Sequence, residues 1–247
     1  MNLSDLTLVL PTRNECANLP AFLASVPDAL NLLVVDSSTD GTADELLRVR
    51  PARTRLIRRT VNVTQARQIG AEAAGSPWLL FTDADVTFAP DYFEKLAADR
   101  GAHALYGPKL SADGRFAGHY RLVTAGQQLA DRLGLPAVSG SNLCVPTRAF
   151  WEVGGFDLEL NCNEDSELGW RLARRGHPIR FRPDLRVYAR DHRRLRRGAT
   201  RKLVHSLARC ALLYLNVLPP ALRRSDWGYW AAAPENKQDT YGVESQS

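Results

Sequence analysis

The sequence has few cysteines and no long apolar run. Its four cysteines are scattered through 247 residues without a Cys-x-x-Cys pair, which argues against a zinc site or a disulfide framework and predicts a reducing compartment. No stretch approaches the roughly 18 to 20 apolar residues that a transmembrane helix needs. No basic segment with a following apolar region precedes Pro11, so no secretory leader is predicted. We therefore expect a cytoplasmic protein.

Composition predicts a globular protein with one uneven feature, its charge. Hydrophobic residues make up 45% and charged residues 24%, as in ordinary globular chains. The length fits one large α/β domain, or one domain and an appendage, and no internal repeat is present. The net charge is +5, but between Arg171 and Arg224 sixteen lysines and arginines accompany only Asp184 and Asp191. Such a region predicts an anionic partner, either phosphates, a membrane surface or nucleic acid, and the alternative is a solvated basic face.

Short apolar runs alternate with helical patterns over about the first 100 residues. The predicted strands are Leu6–Leu10, Leu32–Val35, Thr54–Ile57 and Trp78–Phe81. The predicted helices are Ala17–Val26, Thr42–Arg48, Thr64–Ala74 with Thr64 as N-cap, and Asp91–Ala98. This alternation predicts an α/β fold, with a mostly parallel sheet flanked by helices and ligands bound at the carboxyl ends of the strands.

The second half of the chain is less regular. Its predicted strands are Ala104–Leu110, Leu143–Pro146, Ile179–Arg182 and Arg186–Ala189. Its predicted helices are Phe116–Leu133 and Asp165–Arg175, the latter ending at Gly176. Residues 231–247 are polar and without periodicity, which predicts a disordered tail.

Two acidic residues follow the fully apolar strand that ends at Phe81. In Asp83-Ala84-Asp85 the carboxylates are one residue apart at a strand terminus, where they can share a divalent cation, Mg²⁺ or Mn²⁺. Asp-x-Asp alone is common in exposed loops. Its place after a buried strand favours a metal site, because carboxylates there need compensation.

Polar residues also follow the first two strands. Pro11-Thr12-Arg13-Asn14-Glu15 comes after the first, and Asp36 ends the second before Ser-Ser-Thr-Asp-Gly-Thr. Asp36 would lie at the ligand edge of the sheet and could accept hydrogen bonds from a base or ribose. The residues from Ser37 to Thr42 are typical of a turn.

Together these segments resemble family 2 glycosyltransferases of the GT-A fold, which are inverting and nucleotide-sugar dependent. The similarity lies in six motifs over about residues 5 to 190. They are PTRNE, VVD-SSTDGT, Gln65–Gly70, FTDAD, GGFD and Asn163-Glu164-Asp165. The second motif is one residue shorter than the family's usual VVDDGSTDGT, so Asp36 is the nearest counterpart of the base-contacting acid.

The resemblance implies a role for particular residues. Thr12 and Asp36 would line the nucleobase pocket with Arg67 beside it, Asp83 would face the ribose or the metal's water shell, and Asp85 would hold the metal. The implied nucleotide and donor contacts are Pro11, Thr12, Asn14, Glu15, Asp36, Arg67, Asp83, Ala84, Asp85, Gly140, Ser141, Asn142, Gly155, Arg193 and Arg194. The implied metal ligands are Asp85, Asp83 and, as an alternative to a non-ligand histidine, His192. Glu164 and Asp165 would match the family's acidic pair, with Asp165 as general base.

The chemistry of inversion agrees with this assignment. One base removes the acceptor's proton while the nucleoside diphosphate leaves from the opposite face, and a metal with cations stabilises the leaving group. Glu164 and Asp165 begin a helix, where the dipole is expected to keep a carboxylate ionised. The expected donor is a UDP-sugar, with a GDP-sugar as the second choice. The expected acceptor is a hydroxyl group, such as one on a lipid-linked or cell-envelope glycan.

A nucleotidyltransferase is the alternative function, but Pro11–Glu15 has no glycine for a phosphate loop. Nucleic-acid binding would explain the arginines but would give no role to Asp83, Asp85, Glu164 and Asp165, so no nucleic acid is expected as a partner.

These expectations divide the chain. A GT-A domain would span 1–198, with a nucleotide-binding half at about 1–100 and an acceptor-binding half at about 101–198. An amphipathic helical extension would span 199–230 before the tail at 231–247. Within it Leu203–Leu218 is mostly apolar and has basic flanks, which predicts either a helix packed on the domain or a helix lying on the inner face of a membrane.

Overall fold

The computed structural model describes residues 1–101, 103–196 and 198–225, without the side chains of residues 194, 199, 201 and 202. The predicted tail, residues 231–247, lies outside this range. The strands are β1 (Leu6–Thr12), β2 (Asn31–Asp36), β3 (Thr54–Arg58), β4 (Trp78–Thr82), β5 (Val86–Phe88), β6 (Ala104–Tyr106), β7 (Lys109–Ser111), β8 (Asn142–Pro146), β9 (Ile179–Phe181) and β10 (Val187–Ala189). The helices are α1 (Leu19–Ala24), α2 (Thr42–Val49), α3 (Val63–Ala73), α4 (Tyr92–Ala98), α5 (Ala117–Arg132), α6 (Thr147–Glu152), α7 (Glu164–Arg174), α8 (Arg193–Arg196), α9 (Ala199–Tyr214) and α10 (Pro220–Arg223).

The centre of the fold is a seven-stranded sheet in the order β3-β2-β1-β4-β8-β6-β9. β1 pairs in parallel with β2 and β4, whereas β8 runs antiparallel to β4 and β6. Leu8 and Leu10 of β1 pack into one core, and Val9 packs into another on the opposite face. The strand is apolar throughout because both of its faces are buried. The predicted fold class, a mostly parallel sheet flanked by helices, is confirmed.

Two predictions about local structure were wrong. Ala104–Leu110 is not one strand, because β6 joins the main sheet and β7 joins a second sheet with β5 and β10. The chain turns between them at Gly107, where a Cβ atom would overlap the carbonyl oxygen of Leu185. Thr64 is not the N-cap of α3, since its hydroxyl donates to the Leu160 carbonyl at 2.6 Å.

The cap of α3 is Asn62. Its side chain accepts a hydrogen bond from the Gln65 amide at 2.8 Å, and the Gln65 side chain accepts one from the Asn62 amide at 3.3 Å. This reciprocal pair is a capping box. It fixes the start of the helix that carries Arg67.

The carboxyl ends of the parallel strands meet at one edge of the sheet. Thr12 at the end of β1 is paired with Asp36 at the end of β2. Thr82 at the end of β4 is paired with Asn142, the first residue of the antiparallel β8. The loops that follow Thr12, Asp36 and Thr82, and the loop that precedes Asn142, therefore lie side by side.

The last described helices pack on α7 through a small apolar cluster. Leu213 of α9 and Leu218 contact Trp170 and Leu160. Arg209 is buried, and its guanidinium donates to carbonyl oxygens near the end of α10. In the described part of the chain, no helix is both long enough and apolar enough to cross a bilayer.

Candidate active site

A cleft of about 350 Å³ lies beside the carboxyl end of β2. Its walls are formed by residues 36–39, 41–44 and 58–60. Asp36 is buried, and its Oδ1 atom accepts hydrogen bonds from the hydroxyls of Thr12 at 2.7 Å and Ser38 at 2.6 Å. Its Oδ2 atom has no hydrogen-bond partner within the described residues and can accept an N–H or O–H group of a ligand.

Asn14 fastens the loop after β1 to the loop after β2. Its backbone has a positive φ of 56°, which asparagine tolerates better than most residues. Its backbone amide donates to Ser38 Oγ at 2.8 Å, and its side-chain Oδ1 accepts from the Thr39 backbone amide at 2.9 Å. Asn14 thus shapes the cleft, and its contact with the nucleotide stays a prediction.

Asp85 presents a carboxylate oxygen without a partner. Its Oδ1 atom is buried and makes no hydrogen bond to any described residue, which costs free energy unless a ligand satisfies it. The main chain is held in place, since the Asp85 carbonyl accepts from the Arg190 amide at 2.9 Å. An oxygen atom of this kind fits a divalent cation, which prefers carboxylate ligands. Ala84, between the two acids, packs into the apolar core.

Arg67 joins Asp83 to Glu164. It is buried, donating from Nη2 to Asp83 Oδ1 at 2.6 Å and from Nη1 to Glu164 Oε1. Burial opposes its charge, but the Asp83 and Glu164 carboxylates outweigh burial and raise the pKa of Arg67. Arg67 was expected beside the nucleobase pocket. The structure places its guanidinium between the acids, because α3 directs this side chain across the sheet edge toward α7, and its place beside the nucleobase stays a prediction.

The acidic pair at the start of α7 has two different environments. Glu164 is buried against Arg67, whereas Asp165 is half-buried and accepts from the amides of Gly140 at 2.6 Å and Ser166 at 2.8 Å. Burial, followed by the charge of Asp165, raises the pKa of Glu164 above its ordinary value of 4.5, although Arg67 opposes the shift. At the start of α7, desolvation thus acts on Glu164 against the helix dipole, which favours the ionised carboxylate.

The loop before β8 contains Gly140, which lies against Arg67, and Ser141, whose side chain is hydrogen-bonded within the protein, as is that of Asn142 at the start of β8. A Cβ atom on Gly140 would overlap the Arg67 guanidinium, so only glycine allows this approach. Ser141 is buried and shares a hydrogen bond with Ser139 at 2.9 Å. Asn142 accepts from the Tyr92 hydroxyl and donates to the Leu185 carbonyl, both at 2.7 Å. The side chains of Ser141 and Asn142 thus hold the loop in place, and a contact with the donor stays a prediction.

Gly155 forms a tight turn after α6. Its φ is +71°, and a Cβ atom would crowd the Gln68 side chain, which accepts from the Phe156 amide at 3.0 Å. Its carbonyl accepts from Arg171 at 2.7 Å. The turn accounts for this glycine, and a contact with the donor stays a prediction.

His192 is a buried residue that directly precedes α8. Its Nε2 atom contacts Asp113 Oδ1 at 3.0 Å and its Nδ1 atom contacts the Tyr120 hydroxyl at 3.1 Å. Among the residues described, no three His, Cys, Asp or Glu side chains are arranged to hold a metal ion. Both ring nitrogens of His192 thus have partners within the protein, and its role as a metal ligand stays a prediction.

Arg193 reaches the loop after β1. Its Nη2 atom lies 3.0 Å from Glu15 Oε1, and its side chain is 62% exposed. Burial raises the pKa of Glu15, and the charge of Asp85 adds to the shift, while Asn18 and Arg193 oppose it. Glu15 and Arg193 thus stand close to Asp85, and Glu15 positions Arg193. The side chain of Arg194 lies outside the described part.

Residues 7–124 match the family model described as Glycosyl transferase family 2. This is the family that the sequence motifs resemble. A curated relative is the succinoglycan biosynthesis protein ExoA of Rhizobium meliloti, 27% identical over 194 residues, which are 70% of this chain and 59% of that protein. The chain thus spans less than two thirds of the length of this relative.

Two solved structures share the fold of this chain. The mannosyltransferase PcManGT from Pyrobaculum calidifontis, in complex with GDP-Man and Mn²⁺, has a TM-score of 0.69 and 22% identity, covering 89% of this chain and 67% of its own. Residues 1–349 of S. aureus TarS, in complex with UDP-GlcNAc, have a TM-score of 0.63 and 19% identity, covering 74% of this chain and 58% of that one. At these identities the likeness shows the GT-A fold.

No sequence pattern indicated three residues that lie around the acids or around His192. Lys109 of β7 lies 3.9 Å from Asp83, and Asp113 and Tyr120 hold His192. They come from the less regular second half and belong to no motif. Only the second sheet, which places β7 beside β10, brings them to this edge.

Proposed function

We propose that this protein is an inverting glycosyltransferase. It moves a sugar from a nucleoside-diphosphate sugar to an acceptor hydroxyl, with the help of a divalent cation. The observation that carries the proposal is the arrangement of acids around Arg67. Asp83 is at one end of the guanidinium, next to Asp85, and Glu164 is at the other, next to Asp165. The acids proposed for the metal and diphosphate are therefore separated from the acids proposed for the general base by the Arg67 side chain alone.

Asp165 is the general base in this proposal. It is half-buried and can be approached, and two backbone amides orient its oxygens while leaving lone pairs to accept a proton. Glu164 is less suitable, because it is buried and bound to Arg67. Asp165 takes the proton of the acceptor hydroxyl as that oxygen attacks the anomeric carbon, opposite the departing diphosphate. A single displacement of this kind inverts the anomeric configuration.

Charge on the departing diphosphate must be balanced on the other side of the site. Asp85, with its unpartnered Oδ1, and Asp83 would hold a Mg²⁺ or Mn²⁺ ion, which when bound supplies positive charge to the diphosphate. The exposed guanidinium of Arg193 and the ammonium of Lys109 stand on this side. They can donate hydrogen bonds to phosphate oxygens as the negative charge develops. PcManGT with GDP-Man and Mn²⁺ supports the proposed cation.

The donor is a UDP-sugar or a GDP-sugar. Uracil and guanine both present N–H groups to an acceptor such as Asp36 Oδ2, so the cleft alone accommodates either. The two solved neighbours, with GDP-Man and UDP-GlcNAc, support both bases. Competition between UDP and GDP for binding in the presence of Mn²⁺ identifies the base.

A donor screen tests the proposal. Nucleotide-sugars are incubated with the protein and Mn²⁺, donor hydrolysis or transfer is measured, and the anomer of the product is determined by NMR. Asp165→Asn should retain nucleotide binding and lose about 10² to 10⁴ in rate. Glu167→Gln is the matched control, since Glu167 is on the same helix but paired with Arg171. A retained anomer, or an Asp165→Asn variant with wild-type turnover, would refute Asp165 as the base.

We further propose that α9 places the enzyme on the inner face of a membrane, beside a lipid-linked or cell-envelope acceptor. Val204, Leu207 and Leu215 are 67%, 62% and 66% exposed. From 203 to 222 the only charged residue is Arg209, which is buried, so this face presents no charge to solvent. An apolar helix face of this kind, in a basic part of the chain, suits an anionic bilayer. The relation to a succinoglycan biosynthesis protein supports a glycan acceptor.

Flotation with liposomes tests the membrane proposal. The wild type should float with vesicles containing anionic lipid at low salt, and Leu207→Glu should remain in the soluble fraction. Leu47→Glu, at an exposed leucine of α2, is the control and should float. Wild-type protein that stays soluble with these vesicles would exclude the proposed association.

A further inference from the structure

The segment after β10 carries Arg193 toward the acids. It begins with the Arg190 amide bound to the Asp85 carbonyl at 2.9 Å and continues into the four-residue helix α8. Four residues do not form a stable helix by themselves. Asp191 holds the Arg193 side chain locally, so the place of Arg193 at Glu15 depends on contacts that fix the segment as a whole.

His192 provides those contacts. Its ring is 2% exposed and lies against the rings of Phe116 and Tyr120, with centroids 5.6 and 5.8 Å away. Its carbonyl accepts from the amides of Leu195 and Arg196 at 2.9 and 3.0 Å. One residue therefore joins α8 to the first turn of α5 through its side chain and to its own helix through its backbone.

Asp113 anchors the other side of the ring. Besides His192 Nε2, its carboxylate accepts from the Ser111 hydroxyl at 3.1 Å and from the Arg115 amide at 3.0 Å. These hydrogen bonds lower the pKa of Asp113 far below its usual range, the Arg115 amide contributing most. The loop between β7 and α5 is thus a rigid anchor, to which the histidine attaches the segment that carries Arg193.

We propose that His192 is a positioning residue for Arg193 and not a metal ligand. The contacts from Asp113 and Tyr120 hold the His192 ring, and the ring holds residues 190–196 so that Arg193 can bind the diphosphate of the donor. The inference rests on the proposed function, since it takes a nucleoside diphosphate as the ligand. It accounts for a buried histidine whose two ring nitrogens contact Asp113 and Tyr120.

The test is a double-mutant cycle on nucleotide affinity. His192→Phe fits the aromatic pocket and removes both side-chain hydrogen bonds. Binding of UDP and of GDP is measured by calorimetry with Mn²⁺ for the wild type, His192→Phe, Arg193→Ala and the double variant. Each single variant should bind about tenfold more weakly, the effect of losing one hydrogen bond to a charged group. The double variant should bind no more weakly than Arg193→Ala, because His192 acts only through Arg193.

Two controls distinguish positioning by His192 from metal binding by His192 and from a general effect of positive charge. The Mn²⁺ concentration that half-maximally promotes UDP or GDP binding should be unchanged in His192→Phe and raised in Asp85→Ala. Arg196→Ala removes the same charge as Arg193→Ala from the same helix and should bind like the wild type. If His192→Phe does not fold, Tyr120→Phe, which removes one hydroxyl, replaces it in the cycle.

Three results would overturn the inference. They are additive losses in the cycle, a raised Mn²⁺ requirement in His192→Phe, and unchanged nucleotide affinity in that variant while Arg193→Ala is weakened. A wild type that binds neither UDP nor GDP would instead refute the proposed function, and with it this inference. The two failures are thus distinguished by the wild-type measurement alone.

Discussion

Arg67→Lys is the most informative single substitution in this site. The guanidinium contacts Asp83 and Glu164 with separate nitrogens, whereas a lysine ammonium is a single point charge on a different stem. It can neutralise one carboxylate, and the other remains in a desolvated place without a partner. Breaking one buried ion pair costs about 3 to 5 kcal/mol.

That cost is a large part of a domain's stability, which is about 5 to 15 kcal/mol. Since lysine retains the charge, we take about 3 kcal/mol, which lowers Tm by roughly 6 to 12 °C in a domain of this size. Thermal and urea unfolding followed by circular dichroism measure the change. The control is Arg58→Lys, at a pair with Asp44 whose side chains are 60% and 76% exposed, where little change is expected.

The same variant has a defined pH dependence. The pKa of Glu164 is raised in the folded state, so its contribution to stability is greatest below pH 4.5 and is lost as the pH rises through the folded pKa. Arg67 opposes this shift, and a lysine that fails to reach Glu164 raises the folded pKa further. The destabilisation should therefore grow as the pH rises above about 7, the pKa of Glu164 in the wild type. An Arg67→Lys variant that is as stable as the wild type, or whose loss of stability is independent of pH, would refute the proposed energetic role of the Arg67 contacts with Asp83 and Glu164.

Three further substitutions test the neighbouring residues. Asp85→Ala should lose metal-supported nucleoside diphosphate binding without losing stability, because it removes a buried oxygen that has no described partner; calorimetry with unchanged, EDTA-insensitive binding would contradict this. Gly140→Ala should lower both Tm and transfer rate by displacing the Arg67 guanidinium, and its effect should not add to that of Arg67→Lys. Glu164→Gln should flatten the fall in stability with rising pH, measured by urea unfolding from pH 4.5 to 8, and an unaltered slope would assign the titration to another group.

The order of the elements around the main sheet follows from local sequence patterns. β1, β2 and β4 are continuous apolar runs because parallel central strands are buried on both faces. The polar residues that end them must then collect at one sheet edge. For this reason Asp36, Asp83 and Asp85 could be singled out before any coordinates, although their roles remain predictions.

Local patterns failed where a distant residue decides the environment. Gly107 divides Ala104–Leu110 into strands of two sheets because the Leu185 carbonyl lies against it, about eighty residues away in the chain. His192 stands in a suitable place for a metal ligand, but Asp113 and Tyr120 occupy its nitrogens. Neither partner belongs to a motif.

The acidic pair Glu164-Asp165 shows what the sequence determines and what only the tertiary structure determines. The sequence alone determines that Glu164 and Asp165 begin a helix after a glycine-rich turn, and that acids also follow β4. It does not determine which acid is buried, because burial depends on what α3 and the loop before β8 place against α7. Only the tertiary structure puts Arg67 on Glu164 and the Gly140 amide on Asp165. The energy of a charge depends on its distance from other charges and from water, and in this site residues about 25 to 100 positions apart set those distances.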